Sequence, residues 1–68
     1  MFSYKDKVEL KNKILKLSEE DHIQIFYILK NNNEQYTVNK NGLFFDIINI
    51  SNNTLKRIVK YIDNKKQN

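Results

Sequence analysis

The sequence contains no cysteine, no proline and only one glycine, and it has no long apolar run. Without cysteine the chain can form neither disulfide bonds nor thiolate metal sites. The single glycine, Gly42, cannot make a glycine-rich loop of the kind that binds phosphate groups. No apolar stretch approaches the ~20 residues of a membrane-spanning helix, and the first residues lack the apolar segment of a signal peptide. We therefore expect a soluble intracellular chain that does not enter a membrane.

Residues suited to catalysis or metal binding are also scarce. His22 is the only histidine, and a metal site would need further ligands close to it. Glu19, Glu20 and Asp21 stand together, but three acids at the start of a helix are explained by the helix dipole. No nucleophile is paired with a base at a recognisable spacing. We expect no enzymatic activity, no bound metal and no other cofactor.

The length and charge of the chain allow two interpretations of its surface. The 68 residues are enough for a single domain, expected at 1–68 with a core of about 3–64 and a frayed tail at 65–68. The formal net charge is +4, and 11 of the 12 basic residues are lysine. Lysine, asparagine and isoleucine, all abundant here, share A/T-rich codons. The basic residues therefore form either a solvated lysine surface or a face that binds nucleic acid.

Two helices are predicted in the first half of the chain. Apolar residues between Tyr4 and Leu17 recur at close to helical spacing, which predicts helix one. Ser18 and Asp21 form a capping-box-like S-x-x-D pattern, so helix two begins near residue 19. It ends at the run 31–33, because asparagine competes for backbone hydrogen bonds and tolerates the left-handed conformation.

The second half of the chain contains one predicted strand and one predicted helix. The polar residues that follow helix two, up to Asn41, indicate a loop of about ten residues. The run from Gly42 to Ile47 is apolar, aromatic and β-branched, and it predicts a strand without a convincing partner strand elsewhere in the chain. Apolar residues at i, i+3, i+4 and i+7 predict helix three from about 53 to 64. The expected fold is all-α: a three-helix bundle with one short strand between helices two and three.

Four segments of the chain resemble a known family. They are Tyr4-Lys5-Asp6-Lys7-Val8-Glu9-Leu10 with Ile14-x-Lys16-Leu17, Ile25-Phe26-x-Ile28-Leu29, Leu43-x-Phe45-Asp46-Ile47, and Thr54-Leu55-x-x-Ile58-x-x-Tyr61-Ile62. Their order and spacing resemble the extra-terminal (ET, or NET) domain of the BET bromodomain proteins. The resemblance implies a domain whose strand and second helix bind a short extended peptide of a chromatin or transcription partner. It also implies a nuclear location, or one at the site of transcription.

The resemblance places peptide-binding roles at eight positions. The groove-lining apolar sites fall on His22, Ile25, Leu43, Phe45 and Ile47. The sites at which the family carries acids fall on Gly42, Phe44 and Asp46. Only Asp46 keeps an acid, so few carboxylates remain to attract a basic ligand. We therefore expect a peptide that is apolar, neutral or acidic rather than rich in lysine.

Three alternatives remain open at this stage. The apolar residues of the strand alternate to one side, and that side could pack on the helices as core instead of binding a ligand. The chain could bind nucleic acid through Lys11, Lys16, Lys56, Arg57, Lys60, Lys65 and Lys66. An unpaired strand edge could also join two copies, so we expect a monomer or a weak edge-strand dimer.

Overall fold

The computed structural model describes residues 2–66 of the chain, except for the side chain of Lys66. The elements in chain order are α1 (Tyr4–Leu15), α2 (Glu19–Asn31), β1 (Thr37–Asn39), β2 (Gly42–Phe44) and α3 (Asn52–Lys66). The three predicted helices are present, and a two-stranded antiparallel hairpin lies between the second and the third. Helix α3 continues through Lys65 and Lys66, beyond its predicted end, and the rest of the predicted tail lies outside the described residues. No described helix has both the length and the apolar character needed to cross a lipid bilayer.

Capping boxes start the first two helices. The Ser18 hydroxyl accepts a hydrogen bond from the Asp21 N–H, and the Asp21 carboxylate accepts one from the Ser18 N–H, as the sequence predicted. The same reciprocal pair joins Ser3 and Asp6 at the start of α1, where the sequence analysis did not identify a cap. The hydrogen bond that the Ser3 backbone N–H donates to the Asp6 carboxylate lowers the pKa of Asp6. Helix α1 ends at Leu15, two residues before its predicted end.

Helix α2 ends at the asparagine run, as predicted. Asn31 is its last residue, and the side-chain amide of Asn32 donates to the Ile28 carbonyl oxygen at 2.7 Å. Asn33 adopts a left-handed conformation with φ of 58°, which asparagine tolerates better than most residues. The backbone N–H of Glu34 then donates to the Leu29 carbonyl at 3.0 Å and closes the end of the helix.

The prediction of a lone strand after a ten-residue loop was wrong. Thr37–Asn39 forms β1 and pairs with Gly42–Phe44, with Val38 opposite Leu43. All three β1 residues are exposed, so this strand lacks the alternation of apolar and polar residues by which strands are recognised. Gly42 follows the two-residue turn with φ of +128°, a conformation that glycine adopts at little cost.

The predicted extension of the strand to Ile47 was also wrong, because β2 ends at Phe44. Asp46 turns the chain instead: its Oδ1 accepts from the Ile48 N–H at 3.0 Å, and its Oδ2 accepts from the Asn49 side-chain amide at 2.6 Å. This is the local hydrogen bonding by which aspartate competes with strand ladders. The predicted alternation still holds in the burial, since Phe44 and Asp46 are exposed and Ile47 is buried.

The core lies where α2 and α3 meet, with contributions from α1 and from the segment after β2. Its buried apolar residues are Leu10, Ile14, Ile25, Leu29, Ile47, Ile50, Leu55, Ile58 and Ile62. The last three confirm the predicted apolar face of helix three. Among buried polar groups, the Asp21 carboxylate accepts from the Tyr61 hydroxyl at 2.6 Å and forms an ion pair with the Lys65 ammonium at 2.6 Å. The start of α2 is thereby tied to the end of α3.

This polar cluster changes the acidity of its members. The Lys65 ammonium and then the Tyr61 hydroxyl hold the pKa of the Asp21 carboxyl well below its usual range. The same hydrogen bond raises the pKa of Tyr61, because ionisation would remove the proton that Tyr61 donates to Asp21. The Asp21 carboxylate is therefore held in its charged form.

Candidate functional site

An apolar groove of about 210 Å³ lies between α1 and the segment that begins with β2. Its lining residues are Lys11, Ile14, Leu15, His22, Leu43, Phe44, Phe45 and Ile47. They come from α1, from the first turn of α2 and from residues 43–47, and none of them belongs to β1. The groove, called here the α1–β2 groove, therefore lies on the side of β2 away from its partner strand.

Two exposed apolar side chains border this groove. Leu15 on α1 is 66% exposed and Phe44 on β2 is 51% exposed, whereas Ile14 and Ile47 beneath them are buried. Isolated exposed apolar side chains are common on protein surfaces, but these two flank one concave surface. The floor of the α1–β2 groove is thus part of the core, and its borders are apolar groups in contact with solvent.

The eight predicted peptide-binding residues do not all reach the groove. His22, Leu43, Phe44, Phe45 and Ile47 line it. Ile25 does not, because its side chain is completely buried in the core one turn further along α2. Gly42 lies in the hairpin, and Asp46 lies on the opposite side of the segment, where its carboxylate caps the turn that follows. Sequence reasoning could not separate core positions from groove positions, since both are apolar and lie on the same side of their elements.

His22 holds the two helices at one end of the α1–β2 groove. Its Nε2 atom lies 2.7 Å from the carbonyl oxygen of Ile14 and can donate a hydrogen bond to it in the tautomer that carries the proton on Nε2. The bond adds a side-chain donor to a carbonyl in the last turn of α1 that also accepts from the Leu17 N–H at 3.1 Å. At the other end, the Lys7 ammonium donates to the Ile48 carbonyl at 3.0 Å and joins α1 to the turn after β2.

A hydrogen-bonded cluster around Glu34 joins the residues before the hairpin to the start of α3. Glu34 Oε2 accepts from the Thr54 hydroxyl at 2.5 Å and from the Ser51 hydroxyl at 2.7 Å. Thr54 is completely buried, and Ser51 is the residue that precedes α3. These two hydrogen bonds, first Thr54 and then Ser51, lower the pKa of Glu34. We call this cluster the Glu34 clip. It was not predicted from the sequence, because Glu34 is 17 positions from Ser51 and 20 positions from Thr54.

A second apolar groove, of about 270 Å³, lies on the other side of the hairpin. Its lining residues are Glu19, His22, Ile23, Phe26, Val38, Asn39, Lys40, Gly42 and Leu43. His22 and Leu43 line both grooves, so the hairpin separates two apolar surfaces. The contribution of Val38 could not be foreseen while residues 37–39 were interpreted as a polar loop.

The basic residues of the nucleic-acid interpretation that the structure describes have different surroundings. Lys56, Arg57 and Lys60 line a shallow depression on α3 together with Asn32 and Asn53. Lys65 forms the ion pair with Asp21, and Lys11 lies in the α1–β2 groove. Lys16 caps the end of α1, and the side chain of Lys66 lies outside the described part of the chain.

Comparison with known proteins agrees with the sequence pattern. A family model described as "Bromodomain extra-terminal - transcription regulation" matches residues 1–64. The chain therefore belongs to the bromodomain extra-terminal family, which confirms the resemblance found in the sequence. A relative named "Uncharacterized protein R378", from Acanthamoeba polyphaga mimivirus, is 40% identical over 47 residues, which cover 68% of this chain and 24% of the relative. The chain thus spans about a quarter of that relative's length. No solved structure matches this chain.

Proposed function

We propose that this domain is a non-enzymatic interaction module of transcription regulation, which binds a short extended peptide by strand addition to β2 and the segment that follows it. The partner is a chromatin or transcription protein, and the complex forms in the nucleus or at the site of transcription. Membership of the bromodomain extra-terminal family supports the regulatory role. The observation that carries the proposal is the α1–β2 groove beside a strand edge.

The backbone of β2 supports strand addition. Within the described residues the sheet has two strands, so β2 pairs with β1 along one edge and with no strand along the other. Unpaired N–H and C=O groups at a strand edge can form main-chain hydrogen bonds to an added peptide. Phe45 follows β2 directly, and at Asp46 the chain turns and leaves the extended conformation.

The side chains beside this edge support selection of apolar residues. An extended peptide points alternate side chains to opposite faces. Those on one face would enter the α1–β2 groove between Leu15 and Phe44, over the floor of Ile14 and Ile47. Affinity would come from main-chain hydrogen bonds, and specificity from the fit of alternate apolar side chains.

The proposal is tested by selecting peptides and then mapping them. A displayed library of random dodecapeptides is selected on the wild-type domain, and a selected peptide is titrated while backbone amide shifts and hydrogen exchange are followed. We expect protection of β2, where the added strand hydrogen-bonds, and amide shifts across residues 42–47. Protection confined to α3, or failure to select any peptide, would contradict the proposal.

Two substitutions of equal exposure provide a matched control. Phe44→Asp places a charge at the border of the groove, whereas Tyr27→Asp places one at a side chain on α2 that is 49% exposed and lines neither groove. We expect Phe44→Asp to weaken peptide binding about tenfold or more, with Tyr27→Asp close to wild type. Phe45→Asp should abolish binding, and its circular dichroism shows whether Phe45 also supports the fold. Equal losses in the two matched variants would indicate a nonspecific effect of charge.

A further inference from the structure

The α1–β2 groove is apolar, and the charge that borders it is of one sign. Lys11 lines the groove, and Lys7 precedes it by four residues, so both lie on one face of α1 with Leu15. The other described lining residues are apolar, except for the His22 imidazole, and none of them carries a carboxylate. A ligand in this groove therefore meets a positive charge and no carboxylate among the lining residues.

Asp46, the acid next to the groove-lining segment in the sequence, forms no ion pair with these lysines. Asp46 follows Phe45 directly, but it lines an adjoining cleft with Glu34 and does not line the groove. Both of its carboxylate oxygens accept hydrogen bonds within the turn that it caps. Lys7 donates to the Ile48 carbonyl, which is a neutral acceptor and leaves the positive charge of the ammonium uncompensated.

Lys11 has no acidic partner in the part of the chain that the structure describes. The one ion pair found there joins Lys65 to Asp21, at the far ends of α3 and α2. Lys11 lies one turn before Leu15 on α1, so its aliphatic stem borders the apolar surface while its ammonium remains in solvent. This is the position of a group that could pair with a charge on the ligand.

We propose that the peptide bound in the α1–β2 groove carries an acidic side chain on the same face as its apolar residues, at the border of the groove, and that Lys11 selects for it. This inference rests on the proposed peptide-binding function and adds the charge of the ligand to it. Residues 42–45 carry no charge of their own, and the net charge of +4 favours the approach of an acidic ligand over long range. A solvent-exposed ion pair of this kind changes affinity roughly two- to fivefold.

Three synthetic decapeptides test the inference. All carry valine or isoleucine at alternate positions with threonine between them, and in each peptide the last of these groove-facing residues is replaced by glutamate, glutamine or lysine. Dissociation constants are measured by fluorescence anisotropy at low salt, where the screening length is about 30 Å, and near physiological salt, where it is about 8 Å. We expect the glutamate peptide to bind roughly three- to tenfold more tightly than the lysine peptide at low salt, with a smaller ratio at the higher salt.

Variants of α1 assign this preference to one residue. Lys11→Glu should reverse the preference, and Lys11→Met should reduce it while keeping the apolar stem. Lys13→Glu changes the net charge by the same amount, but two residues along a helix point about 200° apart, so it should change the ratio much less. All variants are checked for helicity by circular dichroism.

The outcomes separate the two proposals. If the lysine peptide binds more tightly, or if Lys11→Glu and Lys13→Glu change the ratio equally, the assignment to Lys11 is wrong while peptide binding stands. If no peptide shifts the amides of residues 42–47, the proposed function itself fails, and the inference fails with it.

Discussion

The Glu34 clip allows a sharp test of what holds the hairpin segment to the helices. We predict that Thr54→Val destabilises the domain through loss of one hydrogen bond. Thr54 is completely buried, and its hydroxyl lies 2.5 Å from Glu34 Oε2, so valine keeps the shape of the side chain and removes only the donor. Ser51 continues to donate to the same carboxylate at 2.7 Å, which limits the loss.

The expected magnitude follows from the groups exchanged. A hydrogen bond to a charged group contributes about 1.5–3 kcal/mol to stability. The methyl group that replaces the hydroxyl offsets about 0.8 kcal/mol of this, so the net loss in free energy of unfolding is about 1–2 kcal/mol. A domain of this length has a total stability of about 3–10 kcal/mol. At roughly 4–8 °C per kcal/mol, the Tm should fall by about 5–15 °C.

The dependence on pH distinguishes the hydrogen bond from packing. The folded-state pKa of Glu34 is lowered, so its stabilising contribution is complete above the ordinary value of 4.5 and is lost as the pH falls towards the folded-state pKa. In Thr54→Val that pKa is lowered less. The destabilisation by valine should therefore be largest near neutral pH and shrink as the pH falls below about 4.5.

Thr54→Ser is the matched control, because it keeps the hydroxyl and removes a buried methyl group at a cost of about 1 kcal/mol. Urea unfolding at several pH values, followed by circular dichroism, should show a cost that varies with pH for valine and one that does not for serine. A valine variant whose cost is the same at pH 3 and pH 7 would show that the Glu34 carboxylate is not the partner that matters.

Three further predictions concern other parts of the molecule. Because the pKa of Asp21 is lowered, its contribution to the free energy of unfolding is complete above the ordinary value of 3.8 and is lost in stronger acid. In Asp21→Asn, the free energy of unfolding measured in urea should therefore fall less steeply below about pH 4 than in the wild type. Gly42→Ala forces a side chain into φ of +128° and should cost about 1–3 kcal/mol, measured as faster amide exchange in both strands and a lower Tm. Replacement of Lys56, Arg57 and Lys60 by glutamine should leave peptide affinity unchanged. The nucleic-acid interpretation would be revived if the domain binds DNA with a log K that falls with log salt by about 0.9 for each phosphate contact.

Local signals made the helices predictable from the sequence. The capping box at Ser18, the stop at the asparagine run and the apolar face of helix three each depend on residues within a few positions of one another. Such interactions act before tertiary packing is considered, so the sequence is enough to find them. The core positions of α3 followed from the same spacing.

The hairpin and the groove depend on contacts that the sequence does not display. β1 is three exposed residues long, and its pairing with β2 rather than an apolar pattern defines it as a strand. The α1–β2 groove combines Lys11 with Phe44, which are more than 30 positions apart. Lys11, which the sequence grouped with a nucleic-acid face, therefore lies beside an apolar groove. The charge of a side chain does not indicate which other element packs next to its helix.

The two departures of this chain from the family pattern at the strand have different physical explanations. At Gly42 the backbone has φ of +128°, so the residue that completes the hairpin turn also excludes a carboxylate from this position. At Phe44 no backbone constraint applies, and the exposed ring stands opposite Thr37 at the border of the groove. Loss of the first acid is therefore a consequence of the hairpin, whereas loss of the second replaces charge with apolar contact area. Both changes leave Lys11 as the charged side chain in the described groove lining, and under the proposal above this lysine sets the charge of the preferred ligand.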